Sequence, residues 1–229
     1  IIDSRREISP VAFVKHSINL ALLDIMSFTE AKDRIIYLGE RGGKNFRHRL
    51  YAPYKANRTD KKKPVHYDEI YEWLLDSHDA STCYDIEADD ALGIATSQYA
   101  SWVICSNDKD MLQIPGTHYN FITKELLQTS PLVADKLLFK QVLMGDSVDN
   151  IPGLPKVGDK TAHKLVKDCT SFKELYDVAT SEYKSRYGKD WYDQFMLNGS
   201  LVYLLRKKGD SFHDYLTRNG VGDYAKTGT

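Results

Sequence analysis

A chain of 229 residues has room for one substantial core, or for one core and a small appendage. Apolar and charged fractions of 42% and 28% are those of a soluble globular protein and exclude a disordered or fibrous one. A net charge of −1 does not itself suggest a nucleic-acid partner, but the distribution of charge does. No apolar run reads as long enough to cross a bilayer and no signal peptide is visible, so the expected setting is the cytoplasm, without a membrane. Cys83, Cys105 and Cys169 lie far apart and read as reduced thiols.

Ile1-Ile2 reads as the end of a strand. Val11, Val14, Ile18, Leu22 and Ile25 recur at helical spacing and predict a helix over 11–28. Ile35 to Leu38, ending at Gly39, is a buried strand. Arg41, Lys44, Arg47, Arg49, Lys55, Arg58, Lys61, Lys62 and Lys63 follow, with Asp60 the only acid between Arg41 and Lys63. Such a run is either a phosphate-binding surface or a solvated loop, and charge alone leaves both open. Helices are expected at about 67–77 and 87–99, with strands at 102–105 and 118–123. Alternating strands and helices predict an α/β fold, a parallel twisted sheet with helices on both faces.

From Leu132 the pattern turns helical. Helices are expected at 134–144 and 159–169, separated by a turn at Gly153–Gly158. Ser171 and Glu174 form a capping box. A last long helix is expected over 191–205, and nothing is assigned after Gly209. The expected division is an α/β core over 1–131, with a basic arch region at about 41–66, and a helical region over 132–229.

Acids follow the apolar strands: Asp3, Glu40 and Asp108. In open parallel sheets the functional crevice lies at these carboxyl ends. Glu87-Ala-Asp89-Asp90 opens a helix, Asp110 follows Asp108, and Asp146 and Asp149 have i, i+3 spacing. Any one pair is explained by helix capping. All together would repel severely unless cations neutralised them. Oxygen ligands without His or Cys suit Mg²⁺ or Mn²⁺, and a pair of such ions can drive phosphodiester displacement. With those nine acids set aside, the remaining charge is net positive.

These residues carry a resemblance. Ile-Ile-Asp3, Tyr54-Lys-Ala-Asn-Arg58, Ile86-Glu-Ala-Asp-Asp90, Ser106-Asn-Asp-Lys-Asp110, Met144-Gly-Asp-Ser-Val-Asp-Asn150 and Ile151-Pro-Gly-Leu-Pro-Lys-Val-Gly-Asp-Lys-Thr161 resemble, in order, the 5′-nuclease superfamily. That superfamily holds phage 5′–3′ exonucleases, flap endonucleases and the 5′-nuclease domain of bacterial DNA polymerase I. The stretch from Tyr54 to Val65 is most similar to phage enzymes with a short arch.

The resemblance implies a PIN-like core and a helix–three-turn–helix at about 144–169 that grips duplex DNA. It implies two Mg²⁺ ions, replaceable by Mn²⁺. Asp3, Glu87, Asp89 and Asp90 would serve mainly the first and Asp108, Asp110, Asp146 and Asp149 the second. Glu40 stands where the family has Asp, and Ser4-Arg5-Arg6-Glu7 stands where it has Gly and an apolar segment. Lys55 and Arg58 would contact the scissile phosphate. DNA contacts are expected from Arg47, Arg49, Tyr54, Lys61, Lys62, Lys63, Gly153, Lys156, Gly158, Lys160 and Thr161, with K⁺ on the backbone of the turn. Tyr51 and Tyr67, like Tyr54, are candidates for base stacking. The expected partners are DNA 5′ ends, flaps or nicks, and an RNA primer in a hybrid, met by a monomer. Two alternatives stay open, a PIN-like ribonuclease and an inactive structure-specific DNA-binding protein. The turn at Gly153–Thr161 speaks against the first and the intact acid set against the second. That turn is not a P-loop, because Asp159 intrudes and no strand precedes it.

Overall fold

In the computed structural model, residues 9–58 and 62–222 are described. The expected strand at Ile1-Ile2, and with it Asp3 and Lys61, lies outside them.

Helix α1 (Val11–Thr29) begins after Pro10 and ends where Glu30 turns left-handed and donates its N–H to Met26 O and Ser27 O. With 19 residues and a mean hydropathy of 1.3, it is long and apolar enough to cross a membrane by length and composition, which corrects the sequence reading. It buries none of its residues and touches the rest of the chain through a few side chains. Lys15 pairs with Glu69 at 3.1 Å, and Phe28 stacks on Tyr119 at 4.4 Å.

Strand β1 (Tyr37–Gly39) is followed by α2 (Phe46–Leu50), a 3₁₀ turn at Ala56–Arg58, and α3 (Tyr67–His78). Strand β2 (Ser81–Cys83) pairs in parallel with β1, and α4 (Ala88–Thr96) comes next. Strand β3 (Ile104–Cys105) is parallel to β4 (Gly116–Asn120), which pairs antiparallel with β5 (Glu125–Thr129). The described residues therefore form two sheets, where the sequence suggested one parallel sheet. β2 is too short and polar to read as a strand, and β5 is exposed except at Thr129.

Helix α5 (Pro131–Met144) starts three residues earlier than its apolar period suggests. Ser130 caps it by accepting the Val133 N–H, and a proline is tolerated in the first turn. Helices α6 (Asp159–Val166), α7 (Phe172–Tyr187), α8 (Trp191–Val202) and α9 (Phe212–Arg218) complete the helical half. Their main core joins Leu138, Phe139, Val142 and Leu143 of α5 to Leu175, Tyr183, Phe195 and Phe212. Phe139 is wholly buried, edge-on to Phe172. Phe139→Ala should therefore cost about 3–5 kcal/mol, read as a lowered urea midpoint at unchanged slope.

Helix α8 stops at Val202, short of the expected 205. The chain there runs extended because buried side chains from the α/β half claim its backbone. Arg47 donates to Leu201 O and Tyr203 O, and Gln113 donates to Val202 O. The N–H groups of Leu204 and Leu205 donate to Gln113 and Asp90.

Candidate metal centre

Four chain segments deliver carboxylates to one region. Glu87 caps α4 and Asp89 sits in its first turn. Asp108 caps the 3₁₀ turn at Lys109–Gln113 and accepts the Asp110 N–H at 2.9 Å. Asp146 and Asp149 lie in the loop after α5, closed by the antiparallel bridge between Asp146 and Ile151. Glu40 follows β1 and is exposed.

Two adjoining cavities of about 360 and 370 Å³ hold them. Glu40, Glu87 and Asp89 line the first; Glu87, Asp89, Asp108, Asp110, Asp146 and Asp149 line the second. Lys55 and Arg58 line both. Seven of the nine expected acids thus share one continuous depression; Asp3 lies outside the described residues and Asp90 is not among the lining residues.

Lys55 stands between the carboxylate groups. Its Nζ donates to Glu87 and lies 3.4 Å from Asp149 Oδ2, while Arg58 pairs with the other Asp149 oxygen. The Lys55 backbone is left-handed (φ 54°), held there by its N–H on Asp149 O. Asn57 donates to Ser147 O and Val148 O, and Asn150 to Pro53 O. The base of the basic segment and the Asp146–Asn150 loop are therefore one stitched unit.

Electrostatics follow from crowding. Burial, then the neighbouring charges of Asp108 and Glu87, push Asp89 up to about 6. Burial, then Asp108 and Asp146, does the same to Asp110, partly offset by a hydrogen bond from Gln141. Glu87 goes the other way, because Lys55 and Arg47 outweigh its burial and lower it. Among the described residues no three acids are already gathered at coordinating distance around one point. The donor set, all hard oxygen and short of cations, fits a divalent ion. A cation needs these groups deprotonated, so its affinity should rise as pH climbs through about 6. Mn²⁺ titrations at pH 5 and 7.5 should show weaker binding and more proton release at pH 5; equal affinity at both would refute this.

Several DNA-contact expectations are corrected by burial. Arg47 is 1% exposed at the wall of the second cavity and forks onto Asp90, which is 0% exposed, so its guanidinium is committed to a protein carboxylate rather than offered to phosphate. Tyr54 is 2% exposed, and its hydroxyl donates to Glu87 at 3.1 Å rather than offering a stacking face. Gly153 is buried at a positive φ of 60°, where a Cβ would meet Met144 and Gly145 backbone. Arg49 is exposed but paired with Asp85, and Lys63 with Asp68. Acids outside the run thus partly neutralise it. Lys62, Lys156, Gly158, Lys160 and Thr161 are exposed, the last three at the start of α6.

Sequence reasoning did not single out Asn45 or Gln141, and gave His48 no catalytic role. Asn45 donates to Glu87 at 2.8 Å, and His48 meets Asn45 Oδ1 at 3.1 Å and lines the first cavity. Gln141 was detectable as a polar residue on the apolar face of α5; the other two carried no signal.

Comparison with known proteins is decisive for kinship. Residues 5–139 match the N-terminal resolvase-like domain of 5′–3′ exonucleases, and residues 134–207 match their C-terminal SAM fold. The chain belongs to the 5′–3′ exonuclease family. Within that family it is 32% identical over 160 residues to a 5′–3′ exonuclease of Buchnera aphidicola from Acyrthosiphon pisum, covering 63% of this chain and 56% of the relative. It is 30% identical over 165 residues to DNA polymerase I of Streptococcus pneumoniae, covering 62% of this chain and 19% of the polymerase. The chain spans just over half the length of the curated exonuclease at 56%. A solved bacteriophage T5 flap endonuclease, in a pseudo-enzyme–product complex with DNA and metal ions, shares the fold. Its TM-score is 0.58 at 18% identity, over 82% of this chain and 80% of that one.

Proposed function

We propose that this exonuclease-family chain is a divalent-metal-dependent 5′–3′ exonuclease and structure-specific flap endonuclease that hydrolyses DNA phosphodiester bonds. The observation that carries the reading is the convergence of carboxylates from four segments on a depression whose rim holds Lys55 and Arg58. Two Mg²⁺ ions, or Mn²⁺, would supply a water of lowered pKa and neutralise the leaving oxygen. Glu87 and Asp89, with Asp3 and Glu40, would hold the first ion. Asp108, Asp110, Asp146 and Asp149 would hold the second.

The chain's own groups then act on the phosphate. Lys55 Nζ, now shared by Glu87 and Asp149, would turn to a phosphate oxygen and stabilise its developing charge, with Arg58 beside it. Tyr54 would keep Glu87 oriented through its hydroxyl. Lys62, Lys63, Arg49 and Lys61 would draw in the backbone of the strand being cut. Lys156, Gly158, Lys160 and Thr161 would meet duplex phosphates at the start of α6, where backbone N–H groups favour anions. K⁺ on carbonyls of that turn would strengthen the grip.

The substrates proposed are DNA 5′ ends, flaps and nicks, together with RNA primers in hybrids, acted on by a cytoplasmic monomer. A labelled panel of 5′-flap, nicked, blunt and single-stranded DNA, with single-stranded RNA, tests this in Mg²⁺ and in EDTA. Mg²⁺-dependent cleavage of the flap and nick is expected. Cleavage of RNA alone would favour a PIN-like ribonuclease, and binding without cleavage an inactive DNA-binding protein.

A further inference from the structure

Arg47 was expected at the DNA surface and is instead buried at the wall of the second cavity, its guanidinium turned onto protein partners. Its Nε donates to Leu201 O at 2.9 Å. Its Nη1 and Nη2 donate to the two oxygens of Asp90 at 2.6 and 2.8 Å, and Nη2 also reaches Tyr203 O at 2.7 Å. Asp90 in turn accepts the Glu87 N–H at 3.0 Å and the Leu205 N–H at 3.1 Å. Both carboxylate oxygens are thus engaged, and the backbone of Glu87 hangs from a group that Arg47 holds.

Helix α2 reaches Glu87 by two further routes. Arg47 Nη1 lies 3.9 Å from Glu87 Oε2, and Asn45, the cap of α2, donates to Glu87 Oε1. A buried guanidinium with its fork filled is a rigid planar template, which a lysine's point charge cannot reproduce. Burying such a cation is costly unless its partners are fixed, so the arrangement is stiff in both directions.

We infer that Arg47 is a positioning residue for the metal-binding carboxylates, acting through Asp90 to set Glu87 and, two residues on, Asp89. The inference rests on the proposed reading of Glu87 and Asp89 as metal ligands. It separates Arg47 from Arg49, Lys62 and Lys63 of its segment, which are exposed.

The test is calorimetric titration of Mn²⁺ into the DNA-free full chain, wild type against Arg47→Lys, with Glu87→Gln as the ligand control. In parallel, DNA affinity is measured in Ca²⁺ across a range of salt. Losing a residue that orients ligands should weaken Mn²⁺ binding by about ten- to a hundred-fold. The salt slope of DNA binding should stay unchanged, because Arg47 meets no phosphate. Unchanged Mn²⁺ affinity with a salt slope smaller by about one would make Arg47 a phosphate contact and overturn the inference. Unchanged Mn²⁺ affinity with only a lower melting temperature would overturn it as well, leaving a purely structural pair. Asp90→Asn, which keeps the side chain's size but turns one acceptor oxygen into an NH2 group facing N–H donors, is the second variant and should show the same Mn²⁺ weakening. Failure of both variants to fold would assign the pair to the fold alone and overturn the inference. If Glu87→Gln binds Mn²⁺ as tightly as wild type, the reading of the site itself falls, and the inference with it.

Discussion

Asp89→Asn is expected to lower the single-turnover cleavage rate by about a thousand-fold or more while DNA affinity in Ca²⁺ stays within a few-fold of wild type. The side chain lies where the two cavities meet, so its loss should damage stabilisation of the transition state more than contacts made to distant phosphates. The same change should make the protein more stable in EDTA. In the fold, Asp89 titrates at about 6 because it is buried beside Asp108, Glu87 and Asp90, whereas in the unfolded chain it titrates near the ordinary carboxylate value. At pH 7.5, above both values, the ionised form carries the full cost of that crowding. A neutral amide relieves it, by on the order of 1–2 kcal/mol. A melting temperature that rises in EDTA while cleavage collapses would mark Asp89 as a group kept for chemistry. A fall in both would make it an ordinary structural acid.

Lys55→Ala should reduce the single-turnover rate at saturating enzyme by about a hundred- to a thousand-fold, because the lost charge acts on the reacting phosphate. Lys62→Ala, on the exposed stretch beyond, should instead weaken binding and reduce the salt slope by about one, with the single-turnover rate intact. The contrast follows from place. The Lys55 ammonium is held in the depression by two carboxylates, whereas Lys62 is exposed outside it. If Lys55→Ala changed affinity alone, Lys55 would be a docking residue, and the chemical role proposed for it would be wrong.

Acid clusters and helices were legible because each rests on short-range pattern. The Glu87, Asp89 and Asp90 trio, the Asp108/Asp110 pair and the Asp146/Asp149 pair declare themselves by spacing, and α1 by apolar period. What sequence could not reveal was which member of a motif faces inward. Asp89 and Asp90 are adjacent, yet one lines the cavities and the other is wholly buried under a guanidinium from 43 residues away. The same holds in the basic run, where Arg47 and Arg49 differ only by a helical offset, one sealed and one exposed. Tyr54 looked like a surface aromatic because its neighbours are charged; its ring in fact completes the helical core. Strands β2 and β5 went unread because their pairing partners, not their own side chains, make them strands. Helix α9 was lost because its apolar anchors, Phe212, Tyr215 and Leu216, form too short a run to show a period.

The hydrogen bond from Arg47 to Leu201 joins residues 154 apart in the chain. Such a contact closes late, since a long loop must be ordered before it gains anything. A ribosome emits the acids of α4 more than a hundred residues before it emits Leu205, the last partner of Asp90. Until then the guanidinium lacks the Leu201 and Tyr203 carbonyls, and Glu87 depends on Asn45, Tyr54 and Lys55 alone. On the proposed reading, a chain that has emerged past Asp149 but not to Leu201 would carry the described acids without the buried support that aims Glu87 and Asp89.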